Sequence, residues 1–212
     1  MINIHIVQKR ILSTRGERKM SDKEDLRIVK TRRCIEEAFL ELLQEHSFDQ
    51  ITVRQLLSKA LVSKGTFYAH YLDKYDLAEK IAAAMLQEFQ TGIRERMTAA
   101  RTVGNRESIM VSLLHTLKTT IPRLTLLKKI RTDKIDIERD MRTIITGEYL
   151  AFQKSQGTHL EHPDLRAHII TTFILGFLEW QRTRPFENTL EDYVREINLT
   201  VSEYEAWMKK LK

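Results

Sequence analysis

Between Ile51 and Leu77 the chain writes three helix starts in quick succession, and little else in the sequence constrains its fold as tightly. Each start has an apolar residue, then a capping oxygen, then a second apolar residue five positions after the first. The sets are Ile51-Thr52 with Leu56, Val62-Ser63 with Phe67, and Leu72-Asp73 with Leu77. Apolar residues so placed staple the entering chain to the first turn of a helix. Gln55, three residues after Thr52, completes a capping box that satisfies two of the backbone N–H groups left free at a helix start. Val53, Leu56, Leu57 and Ala60 then share one face, the chain turns at Leu61-Val62, and the spacing predicts a second short helix from about Lys64 to Tyr71. Two short helices joined by a tight turn make a helix-turn-helix, whose second helix enters the DNA major groove while the first crosses the backbone.

The local chemistry suits such a partner. Arg54, Lys59, Lys64 and Lys74 face only Asp73 between Ile51 and Tyr75, and Thr66, Tyr68, His70 and Tyr71 are interleaved with them. Cations neutralise phosphates and hydroxyls position them. Gly65 stands in a first turn where helix propensity argues against it, but where a missing side chain lets the backbone approach a phosphate or base. Lys64 and Thr66 are expected to meet base edges. Thr52, Tyr68, His70, Tyr71 and Lys74 are expected to position phosphates, and Arg54 and Ser63 complete the candidate DNA-binding set. A small packed helical trio would explain Val53, Leu56, Leu57, Val62, Phe67 and Leu77 equally well, so the exposed residues carry the DNA reading.

The stretch Thr52-Val53 through Ala60, Val62 to Tyr68 (VSKGTFY), then His70-Tyr71 and Lys74 resembles the DNA-binding domain of the TetR/AcrR family of transcriptional regulators. The likeness covers about Asp25 to Phe89, and GTFYxHY is its most specific part. The family usually has glycine where this chain has Leu61, because that residue tends to need φ > 0. A leucine there carries left-handed strain of ~1–2 kcal/mol, or else the turn has another shape.

The 212 residues are enough for one or two domains with a proper core. Seven glycines and three prolines, the latter all at expected helix boundaries, fit an all-α chain. No apolar run approaches the ~18 residues of a membrane span, and Ile2 to Val7 is a poor secretory signal, so no membrane partner and a cytoplasmic location are expected. The net charge of +6 suits a polyanion without proving one. Cys34, the single cysteine, is expected to be a small buried hydrophobe on the first helix. His159-Leu160-Glu161-His162 offers two imidazoles and a carboxylate, but between Gly157 and Pro163 it reads as a loop, and no metal site or cofactor is assigned. GxSxG, Walker, HExxH and dinucleotide fingerprints are absent, which leaves no basis for an enzyme.

Residues 1–23 read as a disordered basic extension, 24–75 as the head, and 76–212 as a C-terminal helical bundle used for dimerisation. The first helix is expected over about Asp25 to His46, and a long connecting helix from Asp73 beyond Ile93. A loop follows at 102–105, then helices over about 109–121, after Pro122, over 136–155, over 163–183, and to the C-terminus. Two stripes on the helix after Pro163, and a heptad seam through Val194, Ile197, Val201 and Tyr204, carry more apolar surface than one monomer can hide. The candidate dimer interface is therefore Ile170, Ile174, Gly176, Leu178, Val194, Ile197, Val201 and Tyr204, and the TetR resemblance implies a homodimer through the last two long helices. It also implies a small-molecule effector that pivots the connecting helix. Candidate pocket walls are His115, Tyr149, Phe152, Phe173, Phe177 and Trp180, which plain core packing would also explain. The expected function is a DNA-binding regulator, a repressor acting as a homodimer on an inverted-repeat operator. The alternatives are the same head on a domain that binds a protein partner, or a helical adaptor for another anion.

Overall fold

The structure, a computed structural model, describes residues 22–103, 122–157, 159–183 and 190–210. Among them the helices are α1 (Asp22–Glu45), α2 (Val53–Ala60), α3 (Lys64–Tyr68), α4 (Lys74–Val103), α5 (Ile137–Ser155), α6 (Pro163–Thr183) and α7 (Leu190–Lys210). Residues 122–127 are also helical, a 3-10 turn spans Phe48–Gln50, and no strand occurs among the described residues beyond an isolated bridge between Thr132 and Ile135. The fold is all-α. The expected helices fall close to their observed bounds, except that the one expected over 109–121 lies outside the described residues.

The chain forms two compact bodies. One ends at Met85 and takes in Thr125–Asp136, and the other holds Leu86–Leu124 and the chain from Ile137 onward. A boundary at residue 75 therefore comes too early, and a segment far along the sequence belongs to the head. The reason is apolar: Leu77, Ala78 and Ile81 of α4 are buried with the head, as are Leu127, Ile130 and Ile135 of the returning segment. Lys129 donates from Nζ to the carbonyls of Leu43 and Gln44 at 3.0 and 3.3 Å, occupying acceptors that the last turn of α1 leaves open. Lys134 pairs with Glu79 at 2.9 Å.

The head's core is built on Ile35, Phe39 and Leu43 of α1, with Phe48, Ile51, Leu56, Phe67 and Tyr71. Phe39 meets Phe48 edge-on at 6.2 Å, and Phe48 meets Tyr75 at 5.2 Å. Of the three expected staples, Ile51 with Leu56 is fully buried, but Leu72 stays 79% exposed although Leu77 is buried. The third helix start is fixed by polar caps instead. Asp73 Oδ1 accepts from the N–H groups of Tyr75 and Asp76 at 2.8 Å each, and Asp76 reaches back to accept from the N–H of Leu72 at 2.9 Å.

In the second body α5 packs on α6. Ile137, Met141, Ile144, Ile145 and Tyr149 are buried there, with Ala167, Thr171, Ile174 and Phe177 from α6 and Phe89, Ile93 and Met97 from α4. Two polar groups are taken inside with their partners. Thr171, fully buried, shares a hydrogen bond of 3.0 Å with Thr146. Glu148 receives Gln90 Nε2 at 2.7 Å and a forked pair of bonds from Arg94, so its charge is matched where water is scarce.

Candidate nucleic-acid interface

Thr52 begins α2 with the capping box that its sequence predicts. The N–H of Gln55 donates to Thr52 Oγ1 at 3.3 Å, and the N–H of Thr52 donates to Gln55 Oε1 at 2.8 Å. The helix ends at Leu61, which adopts φ 54° and ψ 41° while donating to the carbonyl of Leu57. The turn thus keeps the left-handed shape that favours glycine and holds a leucine in it, at a cost of ~1–2 kcal/mol.

Ser63 caps the short helix that follows. Its Oγ accepts from the N–H of Thr66 at 3.1 Å and shares a second hydrogen bond with the Thr66 hydroxyl at 2.8 Å. Lys64 reaches toward the exposed Tyr68 ring, 6.0 Å from its centroid, and Tyr68 stands edge-on to the buried Phe67. A Cβ placed on Gly65 would meet only Ser63 Oγ, at 3.9 Å. The head itself therefore has room for a side chain at this position. Arg54, Ser63, Lys64, Gly65 and Tyr68 form an exposed surface, with Thr66 half-buried beside them.

Three residues expected at phosphates have structural partners instead. Tyr71 is 1% exposed, and its hydroxyl donates to Glu36 at 3.0 Å. Burial, reinforced by the Glu36 charge, pushes its phenol up to about 12. The ring belongs to the core and its polar tip ties the turn after α3 to α1. Lys74 Nζ donates to the carbonyls of Ile51, Phe48 and Asp49 at 2.9, 3.0 and 3.1 Å, and lies over the Phe48 and Tyr75 rings. Thr52 spends its hydroxyl hydrogen on Gln55 Oε1 at 2.8 Å, within its own cap. Lys59, counted with the local cations, spans Glu41 and Glu45 of α1 at 3.2 and 3.5 Å. For Tyr71, Lys74 and Lys59 spacing gave no sign of these partners, because the acceptors lie elsewhere in the chain. Cys34 is likewise exposed rather than buried.

His70 is half-buried above Lys80, whose ammonium donates to the His70 carbonyl at 3.1 Å. Burial, with Arg32 and Lys80 nearby, holds its imidazole below the ordinary 6.5.

Residues 35–81 match the family model described as bacterial regulatory proteins, tetR family. This stretch is similar to the DNA-binding head of that family. A curated protein similar to this chain, the uncharacterized HTH-type transcriptional regulator YxbF of Bacillus subtilis (strain 168), is 28% identical over 169 residues, 77% of this chain. The match spans 42% of that relative's length. Two solved structures share the fold. A candidate transcriptional regulator from Pseudomonas aeruginosa PAO1 superposes with a TM-score of 0.57 at 18% identity, over 82% of this chain and 90% of that one. SmeT in complex with triclosan gives 0.51 at 17%, over 73% of this chain and 81% of that one.

The remaining candidates lie in the second body. Phe173, Phe177 and Trp180 gather around Tyr193 of α7, with ring centroids at 5.1, 4.9 and 6.0 Å, so these expected pocket walls pack against a helix of their own chain. The Tyr193 hydroxyl also lies 3.5 Å from where a Cβ on Gly176 would sit, which makes the close approach at Gly176 internal to the chain. Ile174 is 5% exposed within the monomer and belongs to its core, not to a free face. Tyr149 is buried, Phe152 half-buried, and His115 lies outside the described residues. Ile170, Leu178 and Ile197 are half-buried, and the side chain of Val194 is outside the described set. Val201 and Tyr204 are 51% and 59% exposed, and Leu165, Ile169, Leu199 and Trp207, which the seam did not single out, are exposed as well. No helix among the described residues is long and apolar enough to cross a membrane.

Replacing Lys74 with Met removes three hydrogen bonds to backbone carbonyls, and should destabilise the head by about 1–3 kcal/mol in urea unfolding. His70 should titrate below 6.5 when its ring protons are followed by NMR. Because the fold favours the neutral ring, its contribution is present above the ordinary histidine range and is lost as pH falls through the lowered value. His70→Gln should reduce that acid-side loss of stability.

Proposed function

We propose that this chain is a sequence-specific DNA-binding transcriptional regulator, a repressor that acts as a homodimer on an inverted-repeat operator and is released by a small-molecule effector. The observation that carries the reading is the open surface at Lys64, Gly65 and Thr66. There, a cation, a bare backbone and a hydroxyl stand at the start of the second helix of a helix-turn-helix, and the head's own packing accounts for neither the glycine nor the exposure of the lysine. With Lys59 and Lys74 engaged internally, Arg54 and Lys64 are the local cations left to meet phosphate or base. Lys64 and Thr66 are assigned to base edges, and Tyr68 to the backbone.

The dimer is supported by the apolar surface that one chain leaves uncovered along α7, at Leu199, Val201, Tyr204 and Trp207, and on α6 at Leu165 and Ile169. A two-fold protein reads two half-sites, hence an inverted repeat. The effector reading draws its support from the triclosan bound by a protein of the same fold, and its remaining candidate walls are Tyr149 and Phe152.

Selection of duplexes from a randomised pool, followed by affinity measurement on the selected site, tests this directly. Gly65→Ala should leave the melting temperature unchanged or higher, since alanine favours a helix by about 1 kcal/mol, and yet weaken binding to the selected duplex. Val201→Asp combined with Tyr204→Asp should give monomers in analytical ultracentrifugation, and these should lose the two-fold site. Tight one-to-one binding by such monomers would exclude a dimeric mode of recognition.

A further inference from the structure

Beside the turn that leads into α3, the first half of α1 and the end of α2 enclose an open groove of about 450 Å³. Leu26, Arg27, Lys30 and Thr31 line it from α1, and Leu61 and Val62 from the turn. Two cations and a hydroxyl thus face an apolar wall, and no acidic residue lines the groove among the described residues. Arg33, one turn along α1, makes an instructive contrast. It is tied to Glu37 at 2.8 Å, whereas Arg27 and Lys30 have no acidic partner among the described residues.

Leu61 adds an independent oddity. It is the one residue other than glycine with positive φ among the described residues, and it is 91% exposed, so the strained position supports a side chain that packs against almost nothing in the head. Strain retained at a site the fold does not need is an argument for an outside contact.

We infer that this groove is a second DNA contact, in which Arg27 and Lys30 hold phosphates of the strand flanking the bases read by α3, and Leu61 packs on the sugars between them. The inference rests on the DNA-binding reading above and extends the footprint outward. Charge chooses the occupant: a groove whose described lining holds two cations and no carboxylate fits a polyanion, and its wall at Leu61 and Val62 runs straight into Ser63 and Lys64, where the duplex must already lie if α3 reads it. Phosphate contacts of this kind set register and affinity without carrying sequence information.

The test uses the full chain and the duplex that the wild type selects from a randomised pool, with affinities measured by fluorescence anisotropy across a salt series. Arg27→Ala and Lys30→Ala should each reduce the slope of log K against log salt by about one unit, and weaken binding roughly five- to tenfold near 0.1 M salt. Neither should change the selected sequence or the melting temperature, and Arg33→Ala should leave the slope as it is. Leu61→Gly should move stability and affinity in opposite directions, with a higher melting temperature and several-fold weaker binding. Unchanged slopes for both cation variants, or a Leu61→Gly protein that is more stable and binds as well as the wild type, would overturn this inference alone. A wild type that selects no duplex at all would overturn the DNA-binding reading and this inference with it.

Discussion

Three carbonyl oxygens, those of Phe48, Asp49 and Ile51, converge on the ammonium of Lys74. They belong to the turn that separates α1 from α2, while Lys74 opens α4, so one charge fixes the entry to the helix-turn-helix against its exit. The Phe48 and Tyr75 rings lie within 5.4 Å of the same cation and shield it from water on one side. Tyr71 makes the complementary link, from the turn after α3 to Glu36 of α1. Held at both points, α3 cannot change its angle without breaking partly buried polar bonds. A five-residue helix has almost no stability of its own, so its fixed presentation comes from these tertiary bonds.

The same bonds reorganise the electrostatics. A local count of basic residues overstates what the helix-turn-helix can offer a partner, since Lys59 and Lys74 satisfy internal carboxylates and carbonyls. What stays available is a smaller, better placed set: Arg54 and Lys64 on the motif itself, and Arg27 and Lys30 along the groove beside its turn. Leu61 stands between the two groups in a conformation that costs energy, and its side chain returns none of it through packing.

In the second body, buried polar groups play a part that apolar pattern could not foretell. Glu148 binds Gln90 and Arg94 on α4, and Thr146 binds Thr171 on α6, so α5 is tied by specific bonds to both neighbours. A charge buried with matched partners penalises any other register of these helices, because separating them would strand the carboxylate. The aromatic residues around Tyr193 give α6 and α7 a similar fixed register.

The sequence by itself determined the helices and the motif. The capping box at Thr52, the apolar periodicity and the stretch from Val62 to Tyr71 act over a few residues, and local rules suffice to read them. The left-handed shape at Leu61 was also legible, as one of two alternatives. What only the tertiary structure decided was which polar and apolar residues remain free. Lys74 and Tyr71 look like surface groups until carbonyls and a carboxylate from 23 to 35 residues away are brought to them. Ile174 looks like an interface residue until the rest of the second body covers it, and the close approach expected at Gly176 is to Tyr193 of its own chain. The assignment of Thr125–Asp136 to the head depends on Lys129 reaching α1 across more than 80 residues of chain. Periodicity reports which face of a helix is apolar, but the identity of the covering partner is set by chain closure over long separations, and that is a property of the folded molecule alone.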